Sequence, residues 1–311
     1  MALAEFDLIR RYFASQAPSQ PTTRLGIGDD CALLALPADC ELALTTDTMV
    51  EQVHFLADVD PEALGHKLLA VNLSDLAAMG ADPIAVTLAL TMPRVDEVWL
   101  QAFASGFLSL AKRFDVDLIG GDTTAGPLTL TVQAMGCVPK GLALRRLGAK
   151  PGDRIFVTGK VGDAGLGLKI RQNKVLDEDA ACLRRFERPE PRVDIGRALR
   201  GIATACIDVS DGLAADLGHI LEQSDVGATL DWHALPLSEA VRRYCENTSD
   251  WRMPLIAGDD YELCFTVPPY YDGALPPDCH CIGQIDSRSG LRIRQAGQTH
   301  PLEVRGYEHF S

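Results

Sequence analysis

Apolar positions in the first half of the chain switch repeatedly between strand-like and helix-like spacing. Residues 41–46 (ELALTT) read as a strand that ends on Asp47. Asp60-Pro61-Glu62 places an acid at a helix N-cap and proline in the first turn, and the helix it opens runs to about Met79, where Gly80 and Pro83 stop it. The short β-branched run 84–92 (IAVTLALTM) predicts a buried strand. Trp99, Phe103, Phe107, Leu110 and Phe114 recur at helical spacing, so 96–114 is an amphipathic helix whose aromatics belong to the core. A strand over Val116–Ile119, a Gly120-Gly121-Asp122 turn and an alternating strand follow. In the last of these Leu128, Leu130, Val132 and Ala134 share a face.

The stretch 138–152 (VPKGLALRRLGAKPG), rich in glycine, proline and basic residues, interrupts this rhythm and marks a boundary. Beyond it come a strand at 154–158, a helix after Gly162, a helix near 192–200 and a strand at 202–207. A helix opened by Ser210 or Asp211 carries Leu213, Leu217, Ile220 and Leu221 on one stripe, and 261–267 (YELCFTV) is a further strand. The expectation is two layered α/β domains, 1–138 and 153–311, joined by a linker at 139–152.

Composition changes this picture little: 311 residues with 47% apolar and 23% charged are enough for a large core. The net charge of −14 argues against nucleic acid and anionic membranes as partners, because both reward excess cation. No apolar run reaches the roughly 18 residues of a membrane span. Acids near Met1 do not resemble a signal peptide. The nine cysteines are scattered without a C-x-x-C, which fits reduced thiols in a cytoplasm.

The chemistry lies in where the acids fall. They stand as Gly28-Asp29-Asp30, Thr45-Thr46-Asp47, Asn72-Leu-Ser-Asp75, Gly121-Asp122, Asp208-Val-Ser210-Asp211 and Gly258-Asp259-Asp260-Tyr-Glu262. Most sit where a strand ends or a helix starts, beside glycine or a hydroxyl residue. Carboxylates gathered in space repel unless a cation lies among them, and hard oxygen donors suit Mg²⁺, which also binds phosphates. A single Gly-Asp-Asp is more often just a turn, and Ser210-Asp211 doubles as a helix cap. Asn72 and Asp75 share a helix face, and the surrounding Leu68, Leu69, Val71, Leu73 and Leu76 make a solvent face a poor explanation. On the residues alone, a multi-Mg²⁺ phosphate site and a set of unconnected turns both stay open.

Several chemistries are excluded. Gly159-Lys160 is followed by Val161, so there is no P-loop, and Asp208 onward fails as a calcium loop because its twelfth position is His219. Gly26-Ile-Gly28 lacks the third glycine of a dinucleotide fingerprint. There is no G-x-S-x-G, H-E-x-x-H, or protein-kinase H-R-D.

Taken together, GIGDDCALL, TTDTMVEQVHF, VNLSDLAAMGADP, LIGGDTTAGPL, ALRRLGAKPGDRIFVTG, IDVSDGLAADL, AGDDYELCF and GYEHF, in this order, resemble the thiamine-monophosphate kinase family. That family lies within the ATP-binding superfamily of aminoimidazole ribonucleotide synthetase. The resemblance implies that superfamily's two-domain α/β fold and a homodimer paired through N-terminal sheets. It implies transfer of phosphate from ATP to thiamine monophosphate, with several Mg²⁺ ions as cofactors. It places Asp30, Thr45, Thr46, Asp47, Asp75, Asp122 and Asp208 around Mg²⁺, with Asp211 on a further ion. Gly121, Asp122, Arg146 and Ser210 would contact ATP, while His54, Glu262 and Phe310 would contact thiamine monophosphate. Near Ser105 the family often carries a tyrosine, so Ser105 receives no role. Siblings such as selenophosphate synthetase or the hydrogenase-maturation dehydratase need a reactive cysteine that has no counterpart here. A noncatalytic nucleotide-binding module would bind Mg²⁺ and nucleotide without turnover.

Overall fold

A computed structural model describes residues 5–14, 19–175, 179–304 and 306–307. The chain divides into two compact units, one of residues up to Leu76 with Ala81–Gly141, the other of Ala77–Gly80 with the chain from Leu142 onward.

The first unit comprises α1 (Glu5–Tyr12), β1 (Thr23–Leu25), β2 (Leu33–Leu34), β3 (Cys40–Val50), α2 (Pro61–Ala78), β4 (Asp82–Met92), α3 (Glu97–Arg113), β5 (Asp117–Ala125) and β6 (Thr129–Pro139). Its main sheet has the order β3-β6-β4-β5. Only β4 and β5, bridged by α3, run parallel. Leu88 and Leu90 of β4 are buried, and on the face that alternation predicts Leu130, Val132 and Ala134 of β6 are buried while Leu128, just before the strand, is half-buried. In α2 the apolar residues run round the whole circumference. Leu64, Leu68, Leu69 and Leu73 are all fully buried, and Lys67, Asn72 and Ser74 are buried too. Two glycines allow α2 and α3 to approach closely. A Cβ on Gly65 would lie 2.1 Å from the Phe103 carbonyl oxygen, and one on Gly106 would lie 1.9 Å from that of Glu62. Asp96 caps α3, accepting from the amides of Val98 and Trp99 at 3.1 Å, and Phe103 and Phe107 are fully buried.

Two local expectations are corrected. β3 does not end on Asp47 but pairs with β6 through to Val50, since the hydroxyl and acid residues there still alternate. Gly120-Gly121-Asp122 is no turn: β5 runs through it beside β4. Gly121 is needed for that pairing, because a Cβ there would stand 1.8 Å from the Leu88 carbonyl oxygen.

The second unit comprises β7 (Arg154–Thr158), α4 (Asp163–Arg171), α5 (Ala180–Glu187), α6 (Val193–Ala198), β8 (Ala205–Asp208), α7 (Leu213–Ser224), β9 (Gly227–Asp231), α8 (Glu239–Thr248), α9 (Met253–Ile256), β10 (Leu263–Val267), β11 (Cys279–Asp286), β12 (Gly290–Gln295) and β13 (Gln298–Pro301). The sheet order is β13-β12-β9-β11-β7-β10-β8, antiparallel except at β12–β9. Its core joins Ile155, Val157, Ile207 and Leu230 of the sheet to Leu213, Leu217 and Ile220 of α7. The cap expected from Ser210 or Asp211 is absent: Gly212 is the N-cap of α7, with φ 122° and no side-chain cap bond.

Candidate active site

In the first unit, β3 and α2 bring one group of predicted residues together. Thr45 Oγ1 donates to Asp75 Oδ2 at 2.5 Å, and the Asp47 amide donates to Asn72 Oδ1 at 3.3 Å. Asn72 is held in turn by its own Nδ2, which donates to the Leu68 carbonyl at 2.9 Å. Burial, the Asp75 charge and the Asp75 hydrogen bond, in that order, push the Asp47 carboxyl up to about 7. These are two acids and a hydroxyl in one partly buried place, where the negative charge is disfavoured.

Asp122 belongs elsewhere. Asp47 is opposite Val132, Val132 opposite Leu88, and Leu88 opposite Gly121, so these four share one face. Asp122, opposite Ala89, lies on the other face with Thr46, Thr48 and Thr131. There it joins Asp29, Asp30, Gly121, Thr87 and Gln133 around a cleft of about 1040 Å³. The cleft is large enough for a nucleotide-sized ligand. Asp30 and Asp122 are both exposed in it, and Thr46 is exposed on the same face. His54 follows β3, and its Nδ1 accepts from the Val50 amide at 3.0 Å, so the proton of the neutral ring sits on Nε2. Among the described residues no group of three or more His, Cys, Asp or Glu side chains is gathered closely enough to hold a metal ion unaided.

In the second unit, Asp208 ends β8 and is buried, while Ser210 and Asp211 are half-buried in the turn before α7. The amides of Ser210, Asp211 and Gly212 donate to Asp216 Oδ2 at 3.0, 3.0 and 3.1 Å. Asp216 is 2% exposed, and burial followed by the nearby Asp211 charge pushes its carboxyl up to about 7. Arg146 is exposed in the segment after Leu142, and its carbonyl accepts from Ser224 Oγ at 3.4 Å.

Glu262 is surrounded by donors. It has no solvent exposure, and its oxygens accept from Arg185 Nη2 at 2.6 Å, from Arg192 Nε and Nη2 at 2.6 and 2.7 Å, and from Thr158 Oγ1 at 2.5 Å. Both oxygens of this carboxylate are thus occupied by donors of the chain itself. Arg192 is held above its ordinary value: burial lowers it, and the hydrogen bond and charge of Glu262 overcome that. Asp260 is buried beside it and accepts from the amides of Gly162 and Ala164 at 2.8 and 3.4 Å, with burial raising its carboxyl well above the usual range. Phe310 lies outside the described residues.

The pattern of acids did not disclose Asp216, Arg185 or Arg192. A signal existed for Asp216, an acid set among Leu213, Ala214, Ala215 and Leu217 on an apolar helix. Arg185 sits among other charges in α5 and Arg192 follows Pro191 just before α6, and neither carries a local mark.

The profile of the AIR synthase related protein N-terminal domain matches residues 28–138, and that of the C-terminal domain matches 150–276. The thiamine-monophosphate kinase of Escherichia coli K12 is 50% identical over 323 aligned positions, covering 100% of this chain and 99% of that protein. The crystal structure of thiamine-monophosphate kinase from Stenotrophomonas maltophilia K279a superposes with a TM-score of 0.86 at 44% identity, covering 94% of this chain and 97% of that one. AaThiL complexed with AMPPCP and TMP superposes with a TM-score of 0.80 at 28% identity, covering 100% and 99%.

Proposed function

Since the chain belongs to the thiamine-monophosphate kinase family of AIR synthase-related proteins, we infer that it phosphorylates thiamine monophosphate with ATP, giving thiamine diphosphate and ADP. The observation that carries this is half identity to the Escherichia coli kinase along the whole chain. The solved complex with AMPPCP and TMP supports both substrates.

The chemistry asks little of an acid or base. A phosphate monoester is already largely ionised at neutral pH, so its oxygen attacks the γ-phosphorus directly while the bond to the β-phosphate oxygen breaks. The chain's task is to bring two anions together and hold them in line. Asp30, Thr45, Thr46, Asp47, Asp75, Asp122 and Asp208 would hold several Mg²⁺ ions, and Asp211 a further one. Bound there, Mg²⁺ would supply neutralisation of the phosphate charge. The donor set fits: Asp47 and Asp75 with the Thr45 hydroxyl are hard oxygens whose mutual repulsion a cation relieves. A pair of carboxylates is also what Mg²⁺ ordinarily takes, the rest of its shell being water and phosphate. Gly121, Asp122, Arg146 and Ser210 would meet ATP. His54 would meet thiamine monophosphate through Nε2, Phe310 would pack on its rings, and Glu262 would act through Arg185 and Arg192.

A homodimer is supported by Leu42 and Leu44, which are 42% and 58% exposed on β3, an edge strand of its sheet. A cytoplasmic location is supported by nine free thiols. No helix among the described residues is long and apolar enough to cross a membrane. The test is to incubate the purified protein with thiamine monophosphate, ATP and Mg²⁺ and to measure thiamine diphosphate as its thiochrome. Product that needs all three components is expected. Mg²⁺-dependent nucleotide binding without product would overturn the reading in favour of a sibling substrate.

A further inference from the structure

The turn from Val209 to Gly212 joins β8 to the N-terminus of α7. Successive amides before a helix form a concave nest of positive potential, and an anion normally fills it. Here the chain fills it with its own side chain. Asp216 Oδ2 accepts from the amides of Ser210, Asp211 and Gly212. The remaining backbone groups of the turn are committed too. The Val209 amide donates to the Glu262 carbonyl at 2.7 Å, and the Val209 and Ser210 carbonyls accept from Tyr261 and Asp259 at 2.8 Å each. The Asp211 carbonyl accepts from the Tyr307 amide at 3.3 Å, and the Gly212 carbonyl from the Asp216 amide at 3.0 Å. Asp259 and Tyr261 take positive φ, 69° and 49°, to make their two bonds. No amide of the turn is left to meet an anion.

We propose that Asp216 is a positioning residue that closes this anion nest and so turns a would-be phosphate cradle into a cation turn, setting the backbone from which Asp211 would reach Mg²⁺ and Ser210 the nucleotide. The inference rests on the kinase reading. Three amides converging on one oxygen hold three consecutive peptide planes, so the direction in which Asp211 leaves the backbone is set from α7. With Asp216 removed, the amides turn to water or to phosphate oxygens, and the Asp211 carboxylate loses its fixed bearing. The phosphates are then met by the chain directly rather than through metal.

The experiment compares wild type, Asp216→Asn and Asp216→Ala. It reads the Mg²⁺ concentration for half-maximal rate, the KM for thiamine monophosphate, and the thermal stabilisation by AMPPCP as Mg²⁺ is titrated. In Asp216→Ala the Mg²⁺ requirement is expected to rise at least tenfold in both the kinetic and the thermal titration, with the KM for thiamine monophosphate within twofold. Asp216→Asn keeps an acceptor oxygen without its charge and is expected to fall between. A role confined to stability would lower the melting temperature of Asp216→Ala and leave the Mg²⁺ requirement of the folded protein within twofold of wild type, which overturns the proposal. If Asp216→Ala does not melt cooperatively, Asp216→Asn decides. A threefold or greater rise in Mg²⁺ requirement upholds the proposal, and anything smaller overturns it. Product formation by wild type tests the kinase reading separately, and the AMPPCP titration stands without turnover.

Discussion

Asp47→Asn should make the metal-free protein more stable while destroying its activity. In the folded chain the Asp47 carboxyl titrates near 7, against 3.8 for the ordinary group, through burial first and the Asp75 charge second. For a raised carboxyl the unfolded chain releases its proton first as pH rises. Stability is therefore lost between about pH 4 and 7 and is level above that. Three decades of proton affinity amount to about 4 kcal/mol against the folded state at pH 8. Partial solvent access to the half-buried side chain and relaxation of the site bring this to about 2 kcal/mol. Asparagine keeps the shape, removes the charge and can still donate to Asp75. The backbone bond from residue 47 to Asn72 is untouched. Urea unfolding in EDTA at pH 8 should thus show Asp47→Asn more stable by about 2 kcal/mol, with the gap closing towards pH 4. With Mg²⁺ and nucleotide present the order should reverse, and turnover should fall by at least about a hundredfold, as for loss of a metal ligand. A variant less stable than wild type in EDTA at pH 8 would refute the reasoning, because Asp47 would then be a structural acid and not one of a strained pair.

Other outcomes follow from the same structure. Glu262→Gln leaves Arg185 and Arg192 without their shared anion and should cost about 3–5 kcal/mol in urea unfolding. Gly106→Ala drives a methyl group into the Glu62 carbonyl and should destabilise by roughly 1–3 kcal/mol, read as a lower thermal midpoint. Asp117→Ala removes the acceptor of the Ser19 and Gln20 amides, at 2.7 and 3.0 Å, and should speed limited proteolysis near the N-terminus. Leu44→Glu should leave the Tm of the isolated chain within about 2 °C, a surface change being worth under about 0.5 kcal/mol, while sedimentation shows monomer if the β3 face pairs two copies.

What was legible in the amino-acid order was periodic. The aromatics of α3 repeat at helical spacing and are buried at Phe103 and Phe107, and the all-round apolar character of α2 correctly denied it a solvent face. That denial is also why Asn72 and Asp75 matter, since polar groups on so apolar a helix need partners, and they find them on β3. The pattern failed where long-range pairing overrides local preference. Gly120-Gly121-Asp122 has the composition of a turn, yet the absent side chain at Gly121 is what lets β5 lie against the Leu88 carbonyl. Register then decides something no spacing reveals, namely that Asp122 and Asp47, both at apparent strand ends, lie on opposite faces of one sheet. Two acids of like appearance therefore stand in two different settings. One is paired against α2, where its charge is costly without a cation, and the other stands exposed in the cleft beside Asp30. Asp216 completes the lesson from the other side: an acid that meets backbone amides instead of ligand can still govern what the ligand meets.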